Sequence, residues 1–357
     1  MSGIEMQRQE IISFLTEAGR WAPSADNTQP WRFCWDGRSF SLRYDAVRIG
    51  ESGFSMRHQA TLLAMGAVVE NILQAAAAVG LKADWKWQIP RGEPYEFFSM
   101  ELEASELQSR LPQPLPLFAR HTNRLPFYTK RLPEAFLDYL QDQSGDRIVL
   151  QVIEGKDRLK MISRLIRNAS MARFRTKEIH EWFAASLRFS RTDVGKGDGL
   201  DIETFGLPFG GKALLSFIST WSRMSALNSL GGYKLLASIE AASITKAGAV
   251  VAIVGESGME ASLEAGRVME RIWIEANAAG LGVQPYFVVS DQIIRLAEGR
   301  IPRELVAEVV GLERDARNAL GLDEGKSLHM LLRMGYPVKA AVRSMRLPMS
   351  LLFASDS

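Results

Sequence analysis

The chain has 357 residues, 46% of them apolar and 24% charged, with a formal net charge of +2. That length allows two domains or one large one, and the near-neutral balance calls for neither nucleic acid nor an anionic membrane as a partner. Cys34 is the single cysteine, which excludes an internal disulfide and a cysteine-built zinc site and makes a reducing cytoplasm the expected compartment. The opening MSGIEMQRQE has no basic segment followed by an apolar core, so no signal peptide is expected.

In chain order, Glu5 to Gly19 has helical periodicity with Ile11, Ile12, Phe14 and Leu15 on one side. Arg32 to Trp35 and Ser39 to Tyr44 form two strands turning at Asp36-Gly37, a hairpin dipeptide. After a loop from Asp45 to Ser55, Met56 to Gly80 predicts one long helix, with Gly80 placed as its left-handed cap. Glu70, Asn71 and Gln74 interrupt its apolar run, which fits a buried helix better than a membrane span. Asp84 to Gln88 and Phe97 to Leu102 predict strands, and the proline-rich Leu111 to Phe118 an extended connector. Further on come a helix from Pro133 to Gln143, a strand from Ile148 to Ile153, and helices from Lys156 to Phe174 and from Thr176 to Phe189. The glycine-rich stretch from Ser190 to Gly211 predicts a long loop or lid. A helical run follows from Lys212 to Ser238, then a strand from Ala249 to Val254 and a long helix from Ala261 to Gly280. Val283 to Val288 and Leu328 to Met334 predict strands, Arg303 to Val309 a weak helix, and the basic tail from Gly335 irregular structure.

The two long helices repeat each other. Gly66, Val68, Glu70, Ile72, Ala76, Ala78, Gly80 and Leu81 recur as Gly266, Val268, Glu270, Ile272, Ala276, Ala278, Gly280 and Leu281 without a gap. A glycine inside a helix costs roughly 1 kcal/mol. Paired glycines in one register are therefore expected where two helix backbones approach, at the centre of a two-lobed chain. Glu70 and Glu270 are read either as a buried pair or as caps on neighbouring turns, because buried carboxylates need partners.

Between the first helix and the first strand lies WAPSADNTQPW, Trp21 to Trp31. Pro23 and Pro30 restrict its backbone, and its short amide and hydroxyl side chains offer donors and acceptors without charge. An ordinary helix end and turn would use the same residues. The run resembles the APS-x-x-N-x-QPW signature of the FMN-binding nitroreductase superfamily at Ala22, Pro23, Ser24, Asn27, Gln29, Pro30 and Trp31, with a small Thr28 between. The resemblance implies that Ser24, Asn27 and Gln29 contact the flavin ring.

A second run, Arg120 to Phe127, lies in a stretch between Glu106 and Glu134 that has no acidic residue but contains Arg110, Arg120, Arg124, Lys130 and Arg131. Arginine forks match phosphate oxygens, although a solvated basic loop has the same composition. The run is similar to the RRS-x-R element of the superfamily, which implies that Arg120, His121, Thr122 and Arg124 clamp the FMN phosphate. The tail around Gly335-Tyr336-Pro337 resembles the family's GYP…R-x-P ending; its phosphate-seeking arginine fits Arg346, with Arg343 as the alternative. Gly280 to Tyr286, GLGVQPY, resembles a family loop that approaches the ring edge, which implies Gln284 as a contact. The first lobe has no such arginine run of its own, and the second has no APS-x-x-N-x-QPW. One complete set split between lobes implies one flavin.

The resemblance is to the fused, single-chain Acg-type branch and to the nitroreductase-like domain joined to ThiF-type proteins. It implies an α+β fold, a mixed sheet flanked by helices, in two pseudo-repeat lobes over 1–118 and 119–357, with a lid-like insertion near 190–211 and a basic C-terminal tail. The implied activity is FMN-dependent oxidoreduction, with hydride passing from NAD(P)H to an electron-poor small molecule. A flavin-sequestering protein with a lidded site, or a tailoring oxidoreductase acting on one biosynthetic intermediate, are the alternatives. Either a monomer acting as a pseudo-dimer or a homodimer is compatible with this reading. No metal, nucleic acid or membrane is expected.

Overall fold

In the computed structural model, which describes residues 3–49, 54–81, 84–89, 92, 95–102 and 114–355, the first sheet combines two local hairpins, β1–β2 and β3–β4, with longer-range pairings. Helix α1 (Gly3–Arg20) leads through the Trp21–Trp31 loop to β1 (Trp31–Trp35) and β2 (Ser39–Tyr44), then to short α2 (Ala46–Ile49), α3 (Gln59–Ala78), β3 (Asp84–Trp87) and β4 (Glu96–Glu101). β1 and β2 pair antiparallel, with Phe33 opposite Leu42. The hairpin dipeptide is where it was expected. The connector expected to be extended over 111–118 is described from 114, and it turns into a 3-10 helix at Pro116–Ala119; Arg110 lies outside the described residues.

The second part contains β5 (Phe127–Tyr128), α4 (Glu134–Asp142), β6 (Ile148–Ile153), α5 (Lys156–Phe174), α6 (Lys177–Ser186), β7 (Leu187–Arg188), α7 (Arg191–Val194) and β8 (Leu200–Asp201). Then come α8 (Gly211–Ile218), α9 (Trp221–Ser229), α10 (Gly232–Ala242), β9 (Ala249–Glu256), α11 (Met259–Ala278), β10 (Gly282–Tyr286), α12 (Val288–Ala297) and α13 (Val306–Leu320). The chain closes with β11 (Lys326–Pro337), α14 (Met349–Leu352) and β12 (Phe353–Ser355).

The fold is α+β with two main sheets. One has strand order β12-β1-β2-β4-β3, the other β10-β11-β9-β6 with β5 added to β11. The second is antiparallel throughout. The first is mixed because β12 joins β1 in parallel, Phe353 beside Phe33. The tail therefore ends in the first sheet, about 320 residues from its partner strand, where irregular structure was expected. Ser190–Gly211 also differs from a free loop: α7, β8 and a 3-10 turn at Ile202–Phe205 order it, and β7 pairs β8 in parallel. The run expected over 212–238 breaks into three helices at Ser219-Thr220 and Leu230-Gly231. α12 was not foreseen, and α13 is longer than the weak helix expected.

Between the sheets, α3 and α11 pack along their length. A Cβ on Gly66 would stand 2.0 Å from the Leu263 carbonyl oxygen, and one on Gly266 2.2 Å from that of Leu63. The paired glycines thus mark a reciprocal backbone contact. α3 is long and apolar enough to cross a membrane, but 83% of that window is buried inside the protein; it is the core helix. Neither repeated glutamate pairs with the other. Glu70 receives two bonds of 2.9 Å from Arg271, and Arg267 adds a 3.2 Å contact. Burial acts to raise its pKa, but the two guanidinium groups outweigh burial and lower it. Glu270 faces Arg120 instead, Nε to Oε1 at 2.9 Å.

Candidate cofactor site

A cavity of about 700 Å³ lies against α3 and α11, within the range of about 300–1,000 Å³ typical of small-molecule sites. Leu63 and Ala64 from α3, and Met269 and Trp273 from α11, form an apolar part of its wall. The Trp21–Trp31 loop forms another part. Asp26, Asn27 and Gln29 hold positive φ of 49°, 56° and 49°, a region that costs a non-glycine residue roughly 1–2 kcal/mol. Tertiary bonds hold them there. Ser24 Oγ accepts from the Gln29 N–H at 2.9 Å, and Arg48 donates to the carbonyls of Thr28 and Gln29.

Gln29, expected at the ring, is turned away from the cavity. It is fully buried, donates to the carbonyl of Gly197 at 2.9 Å and accepts from the Leu347 N–H at 3.0 Å. Its task is to tie the loop to the 190–211 segment and to the tail. Asn27 does line the cavity, but its amide donates to Gly197 and Met345 carbonyls while its Oδ1 accepts from Arg346 at 3.1 Å. Ser24 also lines it.

Arg120, His121, Thr122, Arg124, Gln284, Arg343 and Arg346 all reach the cavity wall, but the arginines do not form one cluster. Arg120 is buried, with Nε beside Glu270, one terminal nitrogen bonded to the Trp21 carbonyl at 2.7 Å, and its plane 4.8 Å from the Trp273 ring. Burial lowers its pKa, and Glu270 offsets part of that. The His121 N–H donates to Asn277 and its carbonyl accepts from Trp273 Nε1; both bonds fix this backbone to α11. Arg124 points elsewhere. It donates to Thr204 Oγ1 at 3.2 Å and lies over Phe205 at 5.1 Å, near Asp26.

The basic cluster gathers around Trp21 instead. Arg20, Arg343 and Arg346 lie over its ring at 5.6, 4.6 and 5.4 Å. Burial, then repulsion from Arg120, pushes Arg346 down to about 9, with Arg343 and Arg20 adding to the repulsion. Its Nε has no hydrogen-bond partner among the described residues. Arg20 was overlooked in the sequence because it reads as the last residue of a helix; its position next to Trp21 was the available signal. Gln284 brings to the wall a buried Oε1 that has no hydrogen-bond partner among the described residues.

Sequence reasoning also missed an acidic wall. Asp26 Oδ2 accepts from Trp182 Nε1 at 2.9 Å, and burial raises its carboxyl pKa despite that bond. Trp182 stands edge-on to Phe54 at 4.3 Å, and His58 Nε2 is 3.8 Å from Asp291. Asp26 occupies a position the loop signature leaves open, so only its burial shows it.

No family model matches the sequence. A curated relative, an uncharacterized protein MT1398 of Mycobacterium tuberculosis (strain CDC 1551 / Oshkosh), is 22% identical over 289 residues, 78% of this chain. The chain spans about two fifths of that relative's length, since the match covers 39% of it. Among solved structures, the FMN-dependent nitroreductase NfnB of Mycobacterium smegmatis, in complex with NADPH, is 16% identical, with a TM-score of 0.39 over 66% of this chain and 94% of its own. A nitroreductase with bound FMN from Bacteroides fragilis NCTC 9343 is 12% identical, with a TM-score of 0.34 over 65% of this chain and 92% of its own. At these scores the superpositions assign no role to any residue here.

Proposed function

We propose that the chain is an FMN-dependent oxidoreductase of the nitroreductase type, holding one flavin non-covalently in this cavity. The observation that supports it most is Arg346: a guanidinium with an unpartnered Nε, crowded by other arginines, at the wall of a cofactor-sized cavity beside the amide-rich loop. Four cations, Arg20, Arg120, Arg343 and Arg346, stand there against two carboxylates, Glu17 on Arg20 and Glu270 on Arg120, and a phosphate would supply the remaining negative charge. The chain's residues fit the rest of the group. Gln284 Oε1 is an acceptor awaiting a ring N–H, and Leu63, Met269 and Trp273 offer apolar surface to a flat ring. Bound there, the flavin would supply two-electron transfer between a nicotinamide donor and an electron-poor small molecule. Arg346 and Arg343 would hold the phosphate, Arg120 and Glu270 would position the loop carrying His121 and Thr122, and α8, α9 and α10, which line the other side of the cavity, would exclude water. Lobes at 1–118 and 119–357 would complete one site between them, in a cytoplasmic protein.

The test is an absorbance spectrum of the purified protein before and after anaerobic NADH or NADPH. A yellow protein that bleaches is the expected result. Arg346→Ala should weaken FMN binding by about 1.5–3 kcal/mol, or roughly 10- to 150-fold; unchanged affinity by equilibrium dialysis would refute the phosphate assignment. One observation favours the sequestering alternative: Asn27 and Gln29 bond the Gly197 carbonyl, fastening the 190–211 segment to the loop. A yellow protein that no pyridine nucleotide reduces would select that reading, or the tailoring one if a specific substrate then reacts.

A further inference from the structure

The cavity is roofed by helices whose outer faces are apolar and cationic. From Phe205 to Ile239 the sequence has no Asp or Glu, but it has Lys212, Arg223 and Lys234. Seven of the seventeen exposed large apolar side chains among the described residues fall within residues 207–239. Phe209 is fully exposed, and Leu214, Phe217, Leu230, Leu235 and Ile239 are each about half exposed or more. Soluble surfaces scatter such side chains singly, so a local concentration marks an interaction site. The cations stand beside aromatic rings, Arg223 over Phe217 at 4.9 Å and Lys234 over Tyr233 at 5.7 Å. Lys212 is 3.9 Å from Glu203, and the flanking Glu240 is held by Arg173 at 2.7 Å. Arg223 and Lys234 have no ion pair among the described residues.

We propose that α8, α9 and α10 form a docking surface for an anionic phospholipid bilayer. Apolar side chains interleaved with unpaired cations and free of acids match the boundary between lipid tails and negative headgroups. A second protein surface would not by itself call for the absence of acids. The same surface runs into the cavity. Leu207 and Ile239 are both exposed and part of its wall, and Leu215, Ile218 and Leu236 continue inward. A lipid-soluble substrate class follows from that continuity; this clause rests on the proposed function, whereas the docking does not. The net charge of +2 concealed the feature because it averages over the whole chain.

The experiment is flotation of the whole protein through a density gradient with vesicles, either phosphatidylcholine alone or an equal mixture with phosphatidylglycerol. The protein should float with the anionic vesicles at low salt and remain behind with the neutral ones. Phe209→Ser with Phe217→Ser should reduce partitioning on the order of tenfold, and Arg223→Gln with Lys234→Gln by roughly fivefold per charge removed. All four side chains are exposed, so circular dichroism should be unchanged. Absence of flotation with anionic vesicles, or equal flotation of the Phe variant, would overturn the proposal. So would a dimer in sedimentation velocity that the Phe variant dissociates, since the face would then belong to a second copy. Flavin absorbance read on the same fractions separates the two readings: a floating, colourless protein retains the docking and rejects the cofactor.

Discussion

Glu270 and His329 titrate in opposite senses, and the fold sets both. Burial pushes the Glu270 carboxyl up to about 7 despite Arg120, so the folded chain binds a proton that the unfolded chain releases near 4.5. This group's contribution to stability is present below about pH 4.5 and declines as pH rises to 7. His329 sits between Gln59 and the Glu256 carbonyl, and burial depresses it to about 4. Its contribution is full above about pH 6.5 and is lost as pH falls toward 4. The two nearly cancel between about pH 4.5 and 6.5. Glu270→Gln should therefore expose a rise in stability with pH across that window, on the order of 2–3 kcal/mol relative to the parent. Urea midpoints at several pH values measure it, and parallel profiles for the two proteins would show that Glu270 does not titrate there. At this scale the sequence was only partly legible. Ser24, Asn27, Arg120, His121, Thr122, Arg124, Gln284, Arg343 and Arg346, named from three separate motifs and a loop, line one cavity. Gln29 is drawn away from it by Gly197, and Arg120, at the wall, is engaged by Glu270; both partners are distant in sequence and no local pattern reveals them.

The crossing of α3 and α11 was readable in advance because a repeat in register requires no knowledge of distant partners. Its glycines make a contrast testable at the level of the helix. Gly66→Ala places a methyl 2.0 Å from a backbone carbonyl, which no rotamer relieves, so the helices must separate; a loss of about 3 kcal/mol or more, or failure to fold, is expected. Gly311 in α13 has nothing near its Cβ position. Gly311→Ala should stabilise by about 0.5–1 kcal/mol. Thermal melts of the two variants measure both signs, and similar shifts for both would refute the backbone contact. The segment forming α8, α9 and α10 was less legible. Periodicity suggested one helix over 212–238, but Thr220 and Gly231 divide it, and the division turns its apolar residues both inward to the cavity and outward to solvent. β12 could not be read at all, because three residues carry no pattern and their partner is β1.

At the scale of the molecule, neither proposed lobe is self-contained. The first sheet takes its parallel edge strand from residues 353–355, and Leu352, fully buried, belongs to the first core. Residues 1–118 expressed alone should therefore lack cooperative melting, even though every hairpin of that sheet is local. Deleting residues 349–357 should lower the melting temperature and, on the proposed function, reduce flavin retention together, because α14 and β12 anchor the preceding segment, whose Leu347 N–H and Arg346 bond the Gln29 and Asn27 side chains. Scanning calorimetry and flavin release on the truncated chain measure the two effects; loss of one without the other would uncouple tail from site. The tail also sets an order of events during synthesis. α3 leaves the ribosome some two hundred residues before the helix it must cross, and β1 waits longer still for β12. The nascent first lobe therefore stays open at its helix face and its sheet edge until nearly all of this sequence has been translated, which favours slow folding and reliance on chaperones. On the proposed function, a flavin would be captured only after residues 346–355 have been made and have docked on the first sheet.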